Sequence, residues 1–203
     1  VSVEKISERE EYDGMCDVVN LGASLIFHMN HLMDYADMNP KSRQISSVSV
    51  RLSALSISGK VILPVVRNDS ERLKRLRENE SRNGMIAAAR QGDQDALENL
   101  TLEDIDMYTS ISKRIKSEDV LTIVESYFMP YGIACDQYSV MGDILSVEEV
   151  YNQLTGEKLY QIQIECNDVL IDLCMNAEDL LGEPAVGRRF RGNIWLQGHL
   201  DYV

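Results

Sequence analysis

The sequence predicts an α+β fold: an N-terminal strand, helix and hairpin, then a helical middle, packed with a C-terminal antiparallel sheet or small OB-like barrel. Three observations predict it. From Met15 to Ala36 apolar residues recur every three to four positions, the spacing of one helix face. Charged segments that open on helix-capping residues follow from Asp69. After Gly132 the apolar period falls to two, which is the signature of strands.

Taken in order, Val1 and Val3 alternate with polar residues and read as a short edge strand. The helix that follows places Met15, Val18, Leu25, Ile26, Met29, Leu32 and Met33 on one stripe, with Asp13 as its cap and Asn39-Pro40 as its stop. His28 and His31 lie three apart on it and could face one metal ion, but no third ligand is marked by spacing. Histidines edging a core stripe are the simpler account, so no metal or other cofactor is implied.

Val48, Val50, Leu52 and Ala54 alternate with polar residues, and a second apolar run follows Ser58-Gly59. Two strands joined by a tight turn are expected, glycine supplying the positive φ. Residues 69 to 92 read as a charged, locally basic helix whose Glu71 and Arg75 are spaced for an ion pair. Asp93 caps a short helix to Leu100, Thr101-Leu-Glu-Asp opens another as a capping box, and Ser117 caps a third that ends at Pro130-Tyr131-Gly132.

Beyond Gly132, residues 133 to 150 read as a long strand or strand pair interrupted at Gly142, Leu159 to Cys166 as a clear alternating strand, and Val169 to Met175 as another. Asn167-Asp168 is the turn between the last two, and Asn176 caps a single helical turn from Ala177 to Leu181. The final stretch, Gly182 to Val203, carries Trp195 and four glycines and suits a bent closing strand. On its alternation Arg191 shares the face of Trp195, while Phe190, Ile194 and Leu196 take the other, so both sides should be covered. Three strands, a short helix and a bent strand resemble an OB-like barrel, although that fold needs a fifth strand. These shifts in period divide the chain into a mixed α+β lobe at 1–132 and a mainly antiparallel β lobe at 133–203, which could form one unit.

Composition narrows the function. A 203-residue chain with 44% hydrophobic residues can bury a core, and its net charge of −13 opposes binding to a polyanion. From Ile133 onward 12 acidic residues face 4 basic ones, a balance of −8, which disfavours nucleic acid on the barrel. No run of apolar residues is long enough to span a bilayer, so a membrane is not expected as a partner. Four cysteines without a CxxC pair read first as buried free thiols of a reducing cytoplasm, with a disulfide between two strands as the alternative. The chain starts at Val1 rather than methionine and so reads as a trimmed piece of a longer product.

Several stretches are familiar together: Asn83-Gly-Met-Ile-Ala-Ala-Ala-Arg-Gln-Gly-Asp, Leu100-Thr-Leu-Glu-Asp-Ile-Asp-Met-Tyr, Tyr127-Phe-Met-Pro-Tyr-Gly-Ile, Glu165-Cys-Asn-Asp and Gly187-Arg-Arg-Phe-Arg-Gly-Asn-Ile-Trp-Leu-Gln-Gly. They resemble a bacterial domain of unknown function found in clostridia and related Gram-positive anaerobes. The resemblance implies a cytoplasmic bacterial protein that looks like the C-terminal two thirds of its family, and it carries over no catalytic residue.

No nucleophile elbow, P-loop, dinucleotide fingerprint or metal quartet is present. A non-catalytic binding or scaffold domain that recognises a protein or small ligand is therefore the first reading. The second is an enzyme whose site is assembled from scattered residues, with His28 and His31, or Arg188, Arg189 and Arg191 near His199, as the polar candidates. A single-strand nucleic-acid binder ranks last.

Overall fold

The computed structural model describes residues 2–5, 12–18, 21, 23–30, 48–64, 69–116 and 119–202. Among these residues the strands are β1 (Ser2–Lys5), β2 (Tyr12–Val18), β3 (Ala23–Met29), β4 (Val48–Ile62), β5 (Tyr127–Pro130), β6 (Gln137–Tyr151), β7 (Lys158–Cys166), β8 (Val169–Asn176), β9 (Leu180–Leu181) and β10 (Arg189–Tyr202). The α-helices among them are α1 (Asp69–Arg90), α2 (Gln94–Arg114) and α3 (Val120–Ile123). The chain divides into two compact units, Val1–Asp17 with Ser24–Pro64 and Ser126–Val203, and Val18–Ala23 with Val65–Glu125.

The first unit is built on a closed barrel. β6, β7 and β8 form an antiparallel meander, β8 pairs in parallel with β4, β4 runs antiparallel to β10, and β10 returns antiparallel to β6. Closure removes the free edges that an open five-stranded sheet would carry. The result is OB-like, with the parallel pair and short helical turn of that fold, and the fifth strand comes from Val48–Ile62, ahead of the other four in the chain.

Barrel strands alternate as the sequence requires. Ile162, Ile164 and Cys166 on β7 and Ile171, Leu173 and Met175 on β8 point inward and are buried. Phe190, Ile194 and Leu196 on β10 join them, as expected from alternation. The opposite face of β10 is more open than expected, with Trp195 36% exposed.

Where strands must bend, the register slips. Asn193 pairs with Ser58 and Ile194 with Ser56, so Ile57 is left over on β4 and is 85% exposed. Ser56 is buried beside this bulge and its hydroxyl lies within hydrogen-bonding distance of Asn193 O at 2.8 Å and Ser58 O at 3.1 Å. A second slip near Leu145 lets β6 leave β10 and continue along β7.

The barrel wall continues into further strands. β10 pairs in parallel with β3 at Gln197 and Gly198, and the order runs on through β2 to β1. Leu25, Phe27 and Met29 of β3 are buried on its inner side. The Phe27 ring fills the space that a Cβ would claim on either Gly14 or Gly198, on the strands either side.

Several local expectations change. The helix predicted from Met15 is two strands, β2 and β3, and Asp13 lies inside β2 rather than capping a helix; the remainder of that prediction falls outside the described residues. Residues 48 to 62 form one strand rather than a hairpin, and Gly59 lies mid-strand against the ring of Phe190 instead of in a turn. α2 runs unbroken through Thr101, whose hydroxyl donates to Leu97 O at 2.8 Å within the helix. Asp119 caps α3, accepting from Leu121 N at 2.7 Å, and Tyr127–Pro130 is a strand rather than the end of that helix; Ser117 is outside the described residues.

The second unit holds α1 to α3. Asp93 caps α2 by accepting from Ala96 N at 3.2 Å, and Arg82 of α1 reaches Asp104 of α2 at 2.7 Å. Among the described residues no helix is long and apolar enough to cross a membrane.

Candidate functional site

Three side chains from separate parts of the sequence meet on the outer face of the β2–β3–β10 sheet. Asp13 stands on β2, where Gly14 takes the inward position. His28 stands on β3 between inward Phe27 and Met29. Asp136 comes from the turn before β6. Its backbone carbonyl accepts from Leu196 N at 2.8 Å, so the turn is fastened directly to β10.

One ligand atom from each of Asp13, His28 and Asp136 lies within 4.8 Å of the others, and all three residues are half-buried. His28 Nδ1 is 3.9 Å from Asp13 Oδ1. Trp195 borders the group: its ring centroid is 5.2 Å from that of His28, and its indole N–H donates to Asp136 Oδ2 at 2.5 Å. Cys135 Sγ lies 3.8 Å from Asp13 Oδ2.

A buried tyrosine fixes the strand that carries the histidine. The Tyr138 hydroxyl accepts from Ile26 N at 2.9 Å and donates to Ile26 O at 3.0 Å, two residues before His28. Burial raises the pKa of this phenol, so it keeps the proton it donates. Burial likewise raises the pKa of the Cys16 thiol on β2.

The two carboxylates and one imidazole sum to −2 with His28 neutral and −1 with it protonated. Such a group attracts cations. One oxygen of Asp136 holds the indole N–H, which leaves the second available to a ligand.

The residues singled out in the sequence are dispersed, apart from His28. His31 lies outside the described residues. Arg188 donates to Glu183 O at 2.6 Å, within its own turn. Arg189 is 3% exposed, and its Nε donates to Leu63 O at 3.1 Å. Arg191 does share the Trp195 side of the strand, yet it is half-buried and donates to the Tyr127 hydroxyl at 3.0 Å. His199 sits 3.5 Å from Asp201 at the far end of β10. All four cysteines are free thiols, but only Cys166 is fully buried and Cys135 is exposed.

Asp13 and Asp136 carry no spacing signal toward His28. Their approach depends on which strands pair, with Trp195 brought to them by the parallel β3–β10 register.

Fold and face together define an OB-like barrel domain whose wall is prolonged by three N-terminal strands. The family model DUF3881, described as a domain of unknown function from an E. rectale gene, matches residues 1–198, and the chain belongs to this family. A match over nearly the whole chain gives no support to the expectation that it is only the C-terminal two thirds of the family pattern. No curated protein and no solved structure matches the chain.

Proposed function

We propose that this protein is a binding domain, and that the sheet face around Trp195 recognises a cationic group, an ammonium or guanidinium, carried by a protein or small ligand. The observation that carries the reading is the pairing of Trp195 with Asp136. Trp195 keeps 36% exposure while its indole N–H is held by a carboxylate, so a partly exposed aromatic side chain adjoins negative charge. That combination favours a cation through both the ring quadrupole and the carboxylates. Leu55, paired with Trp195 on β4 and also exposed, adds apolar surface for the stem of a long cationic side chain.

Nucleic acid is not the partner in this reading, since Asp13 and Asp136 on the face and the net charge of −13 would repel phosphates. A cytoplasmic setting belongs to the same proposal and is supported by the four free thiols.

Trp195 is the only tryptophan, so intrinsic fluorescence reports this face alone. Titration with an arginine-rich peptide in EDTA should shift the emission saturably, and a glutamate-rich peptide of equal length should not. Replacing Asp136 by asparagine should weaken the response. Equal responses to both peptides, or none to either, would overturn the reading.

A further inference from the structure

We propose that Asp13, His28 and Asp136 bind a first-row divalent metal ion, with Zn2+ as the preferred member of that class. The proposal rests on the reading of this face as a cation-recognising surface and names an inorganic cation for its centre. Among the described residues this is the one group of three or more histidine, cysteine and acidic side chains with converging ligand atoms.

The His28–Asp13 separation suits a shared ion as well as it suits a loose ion pair. At 3.9 Å, His28 Nδ1 and Asp13 Oδ1 are too far apart to hydrogen-bond. Two ligands about 2.1 Å from one metal lie roughly 3.0 to 4.2 Å apart, depending on the angle they subtend. The measured distance falls inside that span. All three ligand atoms lie within 4.8 Å of one another, so closure on an ion asks only for small rotations about side-chain bonds.

The surroundings match what metal ligands require. Trp195 Nε1–H orients Asp136 from outside the group, the role an outer partner plays for a ligating carboxylate. The Trp195 ring lies against His28, and Tyr138 fastens the backbone of Ile26 on the same strand. The ligands thus come from two paired strands and one anchored turn, which limits the ordering entropy that binding would otherwise cost.

Donor type narrows the ion. One imidazole nitrogen with two carboxylate oxygens suits Zn2+, Co2+ or Mn2+, whereas Mg2+ and Ca2+ take oxygen shells with more ligands. Cys135 stays outside this converging group; its thiol, with Sγ 3.8 Å from Asp13 Oδ2, donates to that carboxylate and orients it rather than serving as a ligand.

The test is calorimetric titration of the untagged full chain with Zn2+ and Co2+, beside Mg2+ and Ca2+ as controls. One-to-one binding of Zn2+ and Co2+ is expected, with Co2+ quenching Trp195 emission and Mg2+ and Ca2+ far weaker. His28→Ala, Asp13→Asn and Asp136→Asn should each weaken Zn2+ at least about tenfold, and Trp195→Phe, which keeps an aromatic ring but loses the N–H, about tenfold. Circular dichroism of each variant separates lost ligands from lost fold. Absence of saturable Zn2+ and Co2+ binding would overturn the proposal, as would binding that His28→Ala and Asp136→Asn leave unchanged. Peptide binding in EDTA without any metal binding would remove this inference and leave the recognition face standing. Metal binding without peptide binding would do the reverse.

Discussion

The ring of Phe190 occupies the space that a side chain on Gly59 would need: a Cβ built there would fall 2.5 Å from Phe190 Cε2. Gly192, the cross-strand partner of Gly59, meets the same ring at 2.5 Å from Cζ. The barrel therefore admits one large ring at the β4–β10 seam only because two glycines face each other there. Gly59→Ala should cost about 1–3 kcal/mol, the range for overpacking a filled core. In a Phe190→Leu background the same change should cost clearly less, because the ring it strikes is gone. Equal penalties in the two backgrounds, measured by chemical denaturation, would show that the glycine serves backbone freedom and not the ring.

Where the sequence misled, the reason is physical. Leu25, Phe27 and Met29 alternate as a strand, yet Met15, Val18, Leu25, Ile26 and Met29 also satisfy a helical period, and a short apolar run cannot separate the two. Tertiary pairing decides, through β10 on one side of β3 and β2 on the other. The fifth barrel strand was hidden by Ser58-Gly59, which read as a turn because a glycine's service to a distant phenylalanine leaves no local trace. After Gly132 local chemistry is stronger. Asn167 and Asp168 adopt φ of 51° and 62° in the expected tight turn, and Asn176 caps its helical turn by accepting from Glu178 N at 3.0 Å. Of the candidate site only His28 was legible, since the approach of Asp13 and Asp136 follows from strand order rather than from spacing.

Tyr138 links barrel and extension through one oxygen. Tyr138→Phe removes the partner of both Ile26 N and Ile26 O and should destabilise the protein by roughly 1–3 kcal/mol. Hydrogen exchange should quicken at Ile26 while the amides of the β7–β8 pair stay slow, because only β3 loses its tether. Uniform acceleration across the barrel would refute this local assignment.

Asp136 should set the emission of the single tryptophan. Asp136→Ala removes a charge-assisted acceptor from an exposed pair, so the stability cost should be modest, about 1 kcal/mol. Trp195 emission should move clearly, whereas the same substitution at Asp172, which hydrogen-bonds Gln163 on the barrel wall, should leave it in place. Matching spectra for the two variants would mean that the indole bond is not held in solution.

Cys166 makes the fold sensitive to alkaline pH. Its side chain is fully buried, its sulfur lies 3.0 Å from Tyr127 O and 3.2 Å from Met141 O, and burial pushes the thiol up to about 12 from the ordinary 9.0. The unfolded chain releases this proton near the ordinary value and the folded chain retains it, so above that value the folded state binds more protons. Stability from this group is complete below about pH 9 and is lost between about pH 9 and 12, at up to about 1.4 kcal/mol per pH unit. From about pH 8 to about pH 10 the native protein should therefore lose about 1 kcal/mol more than Cys166→Ala, which has no thiol to titrate. Lysines and tyrosines titrate in both proteins and cancel in the difference. The variant starts less stable because a small void replaces the sulfur, but its denaturation midpoint should fall less steeply with pH. Parallel slopes for the two proteins would show that the thiol ionises as readily inside the barrel as outside it.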